Sequence, residues 1–128
     1  AAAIEAQCHA RLHTDFYKTT TQMAKLMRQA DLAIGAGGTT TWERMCLGLP
    51  CVTITIADNQ LEITEHLNNK GLTYYAGLAE DMTTPSLAAY LQDVFADEER
   101  FCGAVDSAIN LVDGSGTERT ADFLFSKL

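Results

Sequence analysis

The residues best suited to chemistry fall in one stretch, Asp31-Leu-Ala-Ile-Gly-Ala-Gly-Gly-Thr-Thr-Thr-Trp-Glu-Arg-Met-Cys-Leu-Gly-Leu-Pro50. The short apolar run at 32–34 reads as a buried strand, residues 35–38 as a loop cleared of side chains, and residues 39–41 as the opening of a helix. The first N–H groups of a helix lack intrahelical acceptors, and the helix dipole adds about half a positive charge there. That combination suits a phosphate or diphosphate. Threonine hydroxyls add donors, and Glu43 would face whatever the phosphate carries. A purely local reading competes: Thr40-x-x-Glu43 fits a capping box, in which the threonine caps the third N–H and the glutamate reaches back to the cap residue. Two familiar anion motifs are excluded. G-x-G-x-x-G needs a sixth-position glycine where this chain has Thr40, and no acid stands about 20 residues on in the ribose-binding role. No Gly-Lys-Ser/Thr follows, so the loop is not a Walker loop.

The elements that must position these residues alternate by type. An Ala-rich helix at 1–7 and a strand at 11–16 come first, followed by a helix with Met23, Ala24, Leu26, Met27 and Ala30 along one stripe. After the strand at 32–34 come a helix over 40–47 and a β-branched strand at 51–56. A helix over 59–70 turns Leu61, Ile63 or Thr64, and Leu67 inward, with Gly71 as its C-cap. A fourth strand at 72–76 and helices at 85–96, 97–112 and 116–125 complete the chain. The order predicts an α/β fold, a Rossmann-like parallel sheet with flanking helices. Ligands of such sheets sit beyond the carboxyl ends of the strands. The loops at 16–21, 35–41 and 57–60 are expected to converge there. Asn59 and Gln60 on the third loop favour binding over a simple cap.

With 128 residues, 47% of them hydrophobic, the chain is long and apolar enough for one domain with its own core. A net charge of -8 argues against a nucleic-acid or anionic-membrane partner. No apolar run of about 20 residues and no basic-flanked leader is present, so a soluble, cytoplasmic protein without membrane insertion is expected. Cys8, Cys46, Cys51 and Cys102 form no C-x-x-C pair and read as reduced core thiols. His9 and His13 stand four apart, but neither they nor His66 have a further partner at metal-ligand spacing, so no metal site is expected. The acids of 97–100 suit a solvated helix start, and Glu118 with Arg119 a surface pair.

Three linked motifs carry a resemblance: Ala30-Asp-Leu-Ala-Ile-Gly-Ala-Gly-Gly-Thr-Thr-Thr-Trp-Glu-Arg44, Leu47-Gly-Leu-Pro50 and Ala57-Asp-Asn-Gln60. They resemble the UDP-sugar hydrolases of pseudaminic acid biosynthesis, relatives of the peptidoglycan UDP-GlcNAc transferase. Those enzymes place two Rossmann-like domains across a cleft, the glycosyltransferase-B arrangement. The resemblance runs from about residue 12 to 119. It implies that residues 1–128 form a single, incomplete C-terminal domain, with the N-terminal domain and a first strand bearing its own glycine loop outside this chain.

The resemblance further implies that Gly37, Gly38, Thr39 and Thr40 hold the diphosphate and that Glu43 accepts from the ribose hydroxyls. It sets Asn59 and Gln60 beside the sugar and Tyr17 near the uracil. Asn59 is the one catalytic candidate, because the family's general base is a histidine of the N-terminal domain that His9, His13 and His66 do not match. The implied reaction is hydrolysis of a UDP-linked 2,4-diacetamido-2,4,6-trideoxy sugar, without a cofactor and without turnover by this chain alone. Its partners would be the UDP-sugar and the missing domain or a partner chain, with a dimer through an exposed sheet edge or the final helix. Two alternatives stay open: the donor-binding domain of a UDP-sugar glycosyltransferase, and a non-catalytic nucleotide-binding subunit.

Overall fold

A computed structural model describes residues 2–127. Helix α1 (Ala2–His9) and helix α2 (Met23–Gln29) precede strand β1 (Ala33–Ala36), helix α3 (Thr40–Cys46) and strand β2 (Cys51–Thr55). A 3-10 turn (Asp58–Gln60) leads into helix α4 (Leu61–Asn69) and strand β3 (Tyr74–Leu78). Helices α5 (Thr84–Ala96), α6 (Glu98–Leu111) and α7 (Gly116–Phe125) follow. The three strands form one parallel sheet in the order β1-β2-β3. The α/β, Rossmann-like class expected from the alternation is the observed one.

The two sheet faces differ in chemistry. Val52 and Tyr74 are buried on one face with Val94 of α5, and Leu32, Leu87, Tyr90, Leu91 and Phe101 pack around them. Arg100 lies 4.6 Å above the Tyr74 ring and donates to Asn68 Oδ1, which also accepts from the Tyr75 amide. Arg100 thus ties α6 to β3 and α4 instead of simply facing water. Burial pushes the Tyr74 hydroxyl above its ordinary pKa, with the Arg100 charge opposing that effect. On the other face the sheet presents Ala33, Gly35, Cys51 and Thr53, small residues that let α3 and α4 approach closely. Thr73 Oγ1 donates to the Cys51 carbonyl and accepts from Thr53, so those buried hydroxyls are satisfied. A second apolar cluster of Met45, Leu67, Leu72 and Ala108 joins α3, α4 and α6.

Several sequence expectations change. Residues 11–16 are turn and coil, not a strand. Leu12 and Phe16 alternate with Arg11, His13 and Asp15, which mimics a half-buried strand, but His13 adopts φ +56 and the segment pairs with nothing in the sheet. Ala1, placed in the first helix, lies outside the described residues. Of the expected α2 stripe only Met27 is buried. On α4 the choice between Ile63 and Thr64 falls to Thr64, with Ile63 exposed. Strand β3 starts at Tyr74, the first residue paired with β2, and not at Leu72; Thr73 just before it donates its hydroxyl to the Cys51 carbonyl. The cysteines are free, but only Cys51 is buried; Cys8 and Cys46 are half-buried and Cys102 is exposed. Arg119 pairs with Asp113 at 2.6 Å, not with Glu118.

Candidate functional site

Strand β1 ends at Ala36, so Gly35 and Ala36 belong to the sheet and the loop proper is Gly37, Gly38 and Thr39. The reason is visible under Gly35, where a Cβ would stand 3.1 Å from Arg44 Nη1. Glycine at 35 makes room for a buried arginine rather than for a ligand. Gly37 is required by a different neighbour: its Cβ would meet Thr64 Oγ1 at 2.9 Å. Gly38 adopts φ +136, a conformation that side chains rarely take.

The loop meets the next crossover as expected. Gln60 packs against Gly37, and its Nε2 lies 4.0 Å from the position of a Gly38 Cβ. Gln60 Oε1 accepts from the Ile56 amide at 3.5 Å, which leaves the Nε2 donors facing the loop. Asn59 stands exposed in the 3-10 turn beside it, and its side chain makes no hydrogen bond among the described residues. Gly37, Gly38 and Gln60 therefore form one group at the carboxyl ends of β1 and β2, with Asn59 at its rim.

The capping box does not form. Thr39, not Thr40, is the N-cap of α3, and its side chain accepts no cap hydrogen bond. Thr39 and Glu43 are exposed and Thr40 is half-buried. Glu43 lines an open cavity of about 590 Å³ with Trp42, Cys46, Asp113, Thr117 and Arg119. A second, 90 Å³ cavity runs from Gly38 past Thr41, Trp42 and Thr64. Trp42 walls both. The 16–21 loop does not join this group: Tyr17 lines a separate cavity of about 460 Å³ built from its own loop and α2. That loop follows no strand, so nothing carries it to the carboxyl edge of the sheet.

Sequence reasoning missed Trp42 and Arg44. Arg44 is 6% exposed, and its Nη2 donates to the Ala36 carbonyl at 3.0 Å and to Thr41 Oγ1 at 3.2 Å. Its burial follows from packing against Gly35 and Ala36, which no local signal in the sequence announces. Burial raises the Cys51 thiol above its ordinary pKa, and the Arg44 charge acts in the opposite direction.

The model of the glycosyltransferase family 28 C-terminal domain matches residues 3–110, most of the chain. This chain belongs to that family. Over 105 residues the domain is 30% identical to the spore coat polysaccharide biosynthesis protein SpsG of Bacillus subtilis (strain 168). The match covers 82% of this chain and 31% of that protein, so the family 28 domain spans about a third of that relative's length. The glycosyltransferase-B relationship suggested by the three motifs is the one these comparisons support. Among the described residues of the domain, no helix is long and apolar enough to cross a membrane, and no three His, Cys, Asp or Glu cluster as a metal cage.

Proposed function

We propose that this domain is the nucleotide-sugar-binding half of an enzyme that cleaves the bond between UDP and a sugar in the making of a surface polysaccharide. The observation that carries the reading is the closure of Gly37 and Gly38 onto Gln60 at the carboxyl ends of two parallel strands, in a chain of glycosyltransferase family 28. The diphosphate lies on Gly37, Gly38, Thr39 and Thr40, the ribose reaches past Trp42 to Glu43, and the sugar lies against Asn59 and Gln60. Side-chain amides donate and accept at once, which suits hydroxyl and acetamido groups. Tyr17 lines its own cavity with α2, and its role as the contact for the base rests on the family resemblance alone. UDP leaves readily where preorganised donors meet its new charge.

The acceptor separates two readings. The donor half does not distinguish them; the family resemblance of the motifs around 30–44 and 57–60 points to water, hence a hydrolase of a diacetamido-trideoxy UDP-sugar completed by an N-terminal domain or a partner chain. The family's own description favours a glycosyl acceptor. The shared donor site is tested by calorimetry of this chain with UDP, ADP and NAD. UDP is expected to bind at least tenfold more tightly than the other two, and Glu43→Ala to remove most of that preference. Equal binding of all three nucleotides would refute a uridine site. Incubating the full-length gene product with the UDP-sugar in water, with and without candidate acceptors, then assigns hydrolysis or transfer.

A further inference from the structure

We propose that Arg44 is the positioning residue of the diphosphate site, aiming and strengthening the Gly37 amide from behind while supplying the charge that the diphosphate needs. The proposal rests on the nucleotide-binding reading above and names the group that makes it work.

Arg44 is a buried cation without an acid. The ion pair recorded among the described residues is Asp113 with Arg119, on the surface, and Arg44 Nε is buried with no hydrogen-bond partner. A guanidinium remains protonated in a protein, and an unpaired buried charge is costly.

The hydrogen bond to Ala36 explains its use. The Ala36 carbonyl and the Gly37 N–H are the two ends of one planar trans peptide, so they point in opposite directions. With the oxygen held 3.0 Å from Arg44 Nη2, the Gly37 N–H faces away from the buried arginine. Binding a cation at the oxygen polarises that peptide and makes its N–H a stronger donor. The amides of Gly37, Gly38 and Thr39 meet no backbone acceptor among the described residues. The second bond, to Thr41 Oγ1, fixes the first turn of α3 relative to the same peptide.

Charge balance points the same way. The chain carries -8, and α3 is only seven residues long, so a doubly charged ligand gains little from the helix itself. Among the described residues Arg44 is the one Lys or Arg that hydrogen-bonds segment 36–41.

The test compares the wild-type chain with Arg44→Met and Arg44→Lys in binding UDP, inorganic diphosphate and uridine. Arg44→Met is expected to weaken UDP and diphosphate tenfold or more and to leave uridine unchanged. Arg44→Lys keeps the charge but not the fork, and is expected to fall between the two. A merely structural arginine would change all three ligands together, which would overturn the proposal. If Arg44→Met does not fold, NMR of the wild-type chain decides. UDP and diphosphate, but not uridine, are expected to shift both the Gly37 amide and the Arg44 Nε–H. UDP binding that leaves both signals in place overturns the role of Arg44 alone. A wild-type chain that binds no UDP overturns the nucleotide-binding reading beneath it.

Discussion

Glu43 and Gly37 separate a binding role from a structural one at the scale of single residues. Glu43 is exposed and takes no part in a helix cap, so Glu43→Ala is expected to change unfolding free energy by less than about 0.5 kcal/mol. A loss of about 1 kcal/mol in urea unfolding, the scale of a lost cap, would instead make Glu43 a structural residue. Gly37→Ala presses a methyl group onto Thr64 Oγ1, and overpacking of this kind costs about 1–3 kcal/mol. Thr64→Ala made in the same chain should recover a large part of that loss, and a double-mutant cycle measures the recovery. Independent, additive effects would mean that the loop does not rest on Thr64. The glycine loop at the end of β1 and its meeting with Gln60 were legible in the sequence, because glycines after a short apolar run are a local signal. Arg44 was not, because its importance comes from burial against Gly35 and Ala36, and charge alone predicts an exposed arginine.

Elements with strong local signals stand where the sequence puts them. Helix α5 starts at a Thr83 cap with Pro85 in its first turn, and Thr83 and Ser86 exchange hydrogen bonds in a full capping box. Thr83→Ala is expected to cost about 1 kcal/mol in thermal or urea unfolding; no change would mean that α5 is held by packing alone. Helix α6 likewise begins at Asp97, which accepts from the Arg100 amide. The 11–16 segment failed for the opposite reason. Alternation by itself does not make a strand without a neighbour to pair with, and pairing is a property of the whole sheet. At the α6–α7 turn, Arg119 and the Ser115 amide hold the Asp113 carboxyl below its ordinary pKa. The depressed value means that this contact is fully present above the usual carboxylate value near 3.8 and is lost as pH falls through the lower folded value. The turn's amide signals should therefore change in strongly acidic solution, without a matching change in global stability, because the pair is exposed. A titration of Asp113 at or above the usual value would contradict this.

For the whole molecule, the parallel order β1-β2-β3 carries both crossover loops to one end of the sheet, and this is what the alternation of elements foretold. What alternation could not foretell is how unlike the two sheet faces are, one apolar against α5 and one of small and hydroxylated residues above which Arg44 lies. The cysteines report on that packing. Cys51 is buried with its thiol held above its ordinary pKa, whereas Cys102 is exposed. Mass spectrometry after brief alkylation of the folded chain should find Cys102 modified well before Cys51, and the reverse order would contradict the packing of β2.

The central claim is tested most directly by an amide NMR titration of this chain with UDP, using ADP as the control. The account predicts shifts concentrated at Gly37, Gly38, Thr39, Thr40, Glu43, Asn59 and Gln60, larger with UDP than with ADP. Saturable UDP shifts confined to other parts of the chain, or no shift at any of these residues, would contradict it.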